Sequence, residues 1–276
     1  MTTPLPLLPP VTTIDQVVNT IESIIAWSLA NESRLGYFAA LYKRITIAIR
    51  TGIAQHLFDD GPRMERFDVT FASRYFAALN GYFHPQQGSS ISRCWRVAFE
   101  GALLPGPIIV QHLIAGVNAH IDLDLGIAAE TIAPGAQLAS LHHDFNTVNA
   151  VLASQVSTVV MEIDSLSPVL AAIYTLLMQN ELDLIADGLV IVRDSAWRFA
   201  ELLAVEPRIL HPATIDVHDL EVAELGRLIL HPPGLLQDIV VKIAAQESRD
   251  IVKNIATLNA VASTPAALTT TAAAKI

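Results

Sequence analysis

The stretch GVNAHIDLDLG, residues 116 to 126, sets an imidazole, two carboxylates and an amide inside an otherwise apolar segment. His120 and Asp124 are four residues apart. On an α-helix that spacing overshoots a full turn by only about 40°, so the two side chains share one stripe with His112 and Gly116. Asn118 and Asp122 fall on nearly the opposite side. A His–Asp pair on one stripe suits two chemistries. It can supply nitrogen and oxygen ligands to a divalent metal, zinc, iron or manganese, whose open position binds and acidifies water. Without a metal, the carboxylate orients the imidazole as a general base. A structural reading competes with both: the pair satisfies its own hydrogen bonds inside a core.

The next apolar segment carries LHHDFNTVN, residues 141 to 149. A short connection between two antiparallel helices brings some of its polar groups to the same seam, which is how metal sites in helical bundles are built. The expected metal set is therefore His120 and Asp124, completed by His142 or Asp144. Arg193, one turn before Trp197, is expected to orient an anionic substrate group. Tyr42, one turn before Thr46, is expected to line the same cavity, and Gly116 to leave room for a ligand or a close helix. Trp95 reads as packing, and FDDGP, residues 58 to 62, as a turn whose Asp accepts backbone N–H groups. No GxSxG, P-loop, Rossmann, HExxH or DDxxD pattern occurs, so the sequence gives serine hydrolysis, nucleotide chemistry and diphosphate chemistry no support.

The elements that must position these residues are helical almost throughout. Thr13 and Gln16 form a capping-box signature before Ile14, Val17, Ile21 and Ile24, which recur at helix spacing. Further helices carry Leu35 to Ile49 and Met64 to Leu79, and a short helix lies around Trp95 and Phe99. Pro107 opens one that reaches about Thr131. A fifth runs from Leu138 to Leu152. Ser167 and Pro168 cap a sixth, a seventh aligns Leu182, Ile185, Leu189, Ala196, Phe199 and Leu203, and two more follow. No segment alternates with period two. The reading is an all-α, single-domain bundle of about nine helices over residues 13–262, with a flexible Pro-rich lead-in over 1–12 and a disordered tail over 263–276.

Composition narrows the partners. Hydrophobic residues make up 52% of the 276 and charged ones only 16%, so most helices must be buried, and a homodimer interface is expected as well. The net charge of −10 with no Lys/Arg cluster argues against nucleic acid. The single cysteine, Cys94, excludes an intrachain disulfide and a cysteine-based zinc site. The N-terminus lacks a signal-peptide pattern, and the most apolar stretch is interrupted by proline, histidine and asparagine. A cytoplasmic protein that does not enter a membrane is expected.

Several segments resemble domain-of-unknown-function family 5995: LYKRIT at 41–46, LFDDGPRMERFDVTFASRYFAAL at 57–79, CWRVAF at 94–99, QHLIAGVNAHIDLDLGIA at 111–128, DFNTVN at 144–149 and RDSAWRFAELL at 193–203. The resemblance runs from about Phe38 to Leu203 and implies a single helical domain without assigning a reaction. The sequence thus leads to an enzyme acting on a small molecule, with metal-assisted hydrolysis or a related use of activated water. The first alternative is a metal-free acid–base cyclase or isomerase for an apolar substrate, using His120 with Asp124. The second is a helical ligand-binding or interaction protein without catalysis.

Overall fold

A computed structural model describes residues 3–87, 90–170 and 181–262. Its elements are α1 (Ile14–Ala30), α2 (Leu35–Ala54), α3 (Gly61–Phe83), α4 (Arg93–Gly101), α5 (Ile109–Val117), a π-helical segment (Asn118–Leu125), α6 (Gly126–Ile132), a 3₁₀ turn (Gly135–Leu141), α7 (His142–Leu166), α8 (Glu181–Val205), α9 (His211–Leu230), α10 (Leu235–Ala244) and α11 (Ile251–Ala262). There is no strand among the described residues, and the helices pack as one bundle. Beyond Leu170 the expected sixth helix lies outside the described residues, and so does the expected tail over 263–276. Three helices, not two, follow α8, because Asp250 starts a new one by accepting a hydrogen bond from the Lys253 N–H at 2.9 Å.

Local chemistry sets the other ends. Thr13 caps α1 by accepting from the Gln16 N–H, while the Gln16 side chain reaches back to the Thr12 N–H. Asp60 caps α3 through the Arg63 N–H, as expected for the FDDGP turn. The lead-in is not loose. Leu5, Leu8 and Val11 are buried, and the Asn80 amide both accepts from the Leu8 N–H and donates to its carbonyl. Apolar anchors at every third residue, with the Leu5 carbonyl held by His84 and the Leu8 backbone by Asn80, explain why this Pro-rich strip docks instead of remaining flexible.

The segment from Ile109 to Ile132 is one continuous rod whose middle is π-helical, wrapped by α3, α4, α8 and α9. It starts two residues after Pro107, where the Gln111 side chain caps the Ile108 N–H. Where α6 crosses α8, Gly126 lies against Ala196 and Ala200, all three buried. A Cβ on Gly126 would sit 2.6 Å from the Ala196 carbonyl oxygen, so only glycine permits this approach of two backbones. The space beside Gly116 is taken by the Phe38 ring, 2.5 Å from where a Cβ would lie. That fixes Phe38 against the rod beside His120. No helix of the described residues is long and apolar enough to cross a membrane.

Candidate functional site

The π-helical segment coincides with NAHIDLDL. Each π turn carries an i→i+5 hydrogen bond and a wider ring of side chains, a geometry frequent at functional sites. The rod still separates its polar groups as the sequence requires. Asn118 donates to the Val222 carbonyl, and the Asp122 carbonyl contacts His218, both on α9. His120 and Asp124 face α3 and α4 instead.

Asp124, 1% exposed, accepts from Arg74 Nε at 2.6 Å through one oxygen and from Trp95 Nε1 at 2.7 Å through the other. Burial alone would raise its carboxyl pKa, but the Arg74 guanidinium, His120 and the Trp95 N–H outweigh it and hold the group below its ordinary range. His120 Nδ1 lies 3.9 Å from the second oxygen, an electrostatic contact too long for a hydrogen bond. The imidazole stacks on Phe71 with centroids 3.5 Å apart and planes 7° from parallel, and it meets the Tyr42 ring edge-on at 4.5 Å. Neither of its nitrogens has a hydrogen-bond partner among the described residues. Burial lowers the His120 pKa despite the opposing pull of Asp124, so the ring is neutral near pH 7.

His120 forms part of the wall of a cavity of about 260 Å³ between α2, α3, α5, α7 and α8. Its lining is apolar over most of the surface, with Ile45, Phe67, Phe71, Leu113, Leu152 and Val156 among the walls. The polar groups on it are few: His120, Tyr42, Asp68, Gln155 and Arg193. The Tyr42 hydroxyl and one Asp68 oxygen are buried without a hydrogen-bond partner among the described residues. Burial pushes Asp68 up to about 7, with Glu65 adding to the shift. Burial likewise raises the Tyr42 phenol well above its ordinary value, which keeps it protonated. The Arg74–Asp124 pair lines a separate, more polar cleft and not the apolar cavity.

The other residues expected here go elsewhere. Asp144 is fully buried, but its oxygens accept from the Asp59 N–H at 2.6 Å, the Asp60 N–H at 3.2 Å and Arg63 Nη2 at 2.9 Å. It pins the α2–α3 turn to α7. His142 is exposed and lies against the Trp197 ring. Hence His120 and Asp124 acquire no third ligand from α7. The 3₁₀ turn after α6 displaces the start of α7, whose main neighbours are α2, α8 and α11. The one His/Asp group among the described residues whose ligand atoms converge, within 4.8 Å, is Asp59, His143 and Asp144. This cluster is able to coordinate a divalent cation, and it shares only Asp144 with the expected set.

Arg74, Asp68, Phe71 and Trp95 belong to the site and were not singled out as functional from sequence. For Asp68 there was a signal: a carboxylate directly after Phe67 on the edge of an apolar stripe. Trp95 does pack, as expected, and also donates a buried hydrogen bond. Arg74 left no signal, since nothing in its local spacing says which helix it faces.

Residues 14–232 match a family of unknown function, DUF5995. The chain belongs to that family. The matched span takes in α1 through α9, and so the whole rod, every cavity wall named above and Arg193. It is wider than the Phe38–Leu203 resemblance read from the motifs. Neither the curated proteins nor the solved structures give a match.

Proposed function

We propose that the protein binds an apolar small molecule in the His120 cavity and that His120, held by its stack on Phe71 beside the Asp124 carboxylate, exchanges a proton with it. This is metal-free acid–base chemistry of the isomerase or cyclase kind. One observation carries the reading: both nitrogens of a buried, neutral imidazole lack partners on the wall of an otherwise apolar cavity. A buried polar group left unsatisfied costs about 1–3 kcal/mol, so a ligand that supplies the missing partner gains what the empty cavity forgoes. A neutral imidazole takes up a proton through a free ring nitrogen, and the adjacent Asp124 carboxylate stabilises the imidazolium that results. The neighbouring Tyr42 hydroxyl supplies a donor for a carbonyl or hydroxyl oxygen.

Selective ¹⁵N labelling of the histidines tests this, using N-phenyl-1-naphthylamine as an uncharged apolar probe. The His120 ring signals are expected to remain those of a neutral imidazole below the ordinary histidine value of about 6.5, and to shift saturably as the probe is added. The substitution Val156→Phe, which fills the cavity, should abolish that shift. A His120 ring that protonates above pH 6.5, or one indifferent to the probe, would overturn the proposal.

A second reading is favoured by the Asp59–His143–Asp144 cluster, a divalent cation held at the α2–α3 turn. Arg63 already occupies one Asp144 oxygen, so a cation there would work against a neighbouring positive charge. That reading expects close to one metal per chain by elemental analysis, lost in His143→Ala. Equal, negligible metal in both proteins would end it.

A further inference from the structure

Arg193 is 4% exposed, lies on the wall of the His120 cavity, and forms no ion pair among the described residues. Its Nε donates to Asn149 Oδ1 and its Nη2 to the Phe145 carbonyl, each at 2.6 Å, and its guanidinium lies 4.3 Å above the Phe145 ring. These contacts hold the side chain in place and leave Nη1 without an acceptor among the described residues. They are neutral acceptors, so no carboxylate touches the guanidinium among the described residues, and the charge of the adjacent Asp194 reaches it only through space. Burial lowers the arginine pKa to about 9, with the adjacent Asp194 carboxylate opposing the shift. A buried charge without a counter-ion in contact is rare and costly.

The path from Arg193 to His120 is aromatic. Phe145 lies 6.3 Å from Phe67, Phe67 lies 6.5 Å from Phe71, and Phe71 stacks on His120. The cation and the unpartnered imidazole are therefore two polar ends of one apolar space, with a row of rings between them. A ligand that satisfies both ends needs an apolar body, an anionic group at one end and an oxygen function at the other.

We infer that the cavity accepts an elongated lipophilic acid, whose anionic group pairs with Arg193 while its far end meets His120 and Tyr42. This rests on the reading of the cavity as a ligand site and adds the class of ligand. A carboxylate supplies a counter-ion in contact, its oxygen accepting a charge-assisted hydrogen bond from the unused Nη1.

The experiment is displacement of N-phenyl-1-naphthylamine from the full chain by decanoate and by 1-decanol, which share one apolar body and differ in charge. Decanoate is expected to displace the probe at a concentration at least roughly tenfold lower than decanol, because the alcohol leaves the arginine unpaired. In Arg193→Gln that preference should vanish while decanol displaces as before. If decanol matches decanoate on the wild-type protein, the lipophilic-acid inference is overturned and the cavity reading stands. If the probe itself does not bind, the cavity reading fails. The wild-type comparison is decisive alone, so an Arg193→Gln chain that does not fold leaves the test intact.

Discussion

Asp124→Asn is expected to lose about 3 kcal/mol of folding stability, the lower end of the range for breaking a buried charge pair. The substitution keeps the volume and removes the charge. All that Asp124 binds by hydrogen bonds is a donor: Arg74 Nε on one oxygen, Trp95 Nε1 on the other. An asparagine satisfies one of them with its carbonyl and turns its own N–H₂ toward the second, donor against donor. The Trp95 N–H is buried and has no water to turn to, whereas the Arg74 side chain is a third exposed and recovers some solvation, which is why the lower end applies. Urea denaturation at neutral pH measures the loss as a fall in midpoint at unchanged slope. A loss under about 0.5 kcal/mol, the ordinary surface value, would mean that Asp124 does not hold the rod to α3 and α4.

The same pair of proteins carries a pH signature. The folded Asp124 carboxyl is depressed, so its contribution is complete above the unfolded value of about 3.9 and is lost as pH falls through the lower, folded value. The stability gap between wild type and Asp124→Asn should hold constant near neutrality and narrow only in that acid window. A gap that closes already between pH 7 and 5 would assign the effect to another group.

How far the sequence reached is clearest at the rod. Four-residue spacing placed His120 with Asp124 and set Asn118 and Asp122 on the other side, because rotation about a helix axis is a local property. The partners of each face are not local. Phe71, Arg74 and Trp95 come from helices whose position depends on the packing of the whole bundle, so periodicity found their stripes and not their destinations. The π turn was hidden for a related reason: its pattern of polar and apolar residues is compatible with an ordinary α-helix, and the extra residue per turn appears only in the hydrogen bonding. The placement of His142 and Asp144 at the seam assumed that consecutive helices pack face to face. The 3₁₀ turn at Gly135–Leu141, where the apolar spacing of Leu138 and Leu141 also fits the start of a helix, carries α7 away from the rod and onto α2 and α8. Helix existence depends on short-range pattern, whereas a site composed across helices depends on which faces meet.

Asp144→Ala should lose about 3 kcal/mol or more, for a reason that separates the two uses of its carboxylate. With 0% exposure it gathers two consecutive backbone N–H groups, of Asp59 and Asp60, and the Arg63 guanidinium, all in the turn and first helical residues that launch α3. Removing it strands three donors at once where Asp60 must also cap the helix, and an alanine leaves a cavity as well. Since α3 carries Phe67, Asp68, Phe71 and Arg74, a loosened start of α3 reaches the His120 cavity from outside, and probe binding should weaken along with stability. Chelator discriminates the brace from the cation. If Asp144 acts through hydrogen bonds alone, EDTA leaves the wild-type unfolding curve unchanged, because every partner is a protein N–H. If a divalent ion shares the carboxylate with Asp59 and His143, EDTA lowers wild-type stability and has no effect on Asp144→Ala, which has already lost the ligand. The number and direction of the donors already on Asp144 favour the first result: a carboxylate that accepts from two amides and an arginine has its charge committed before any cation arrives.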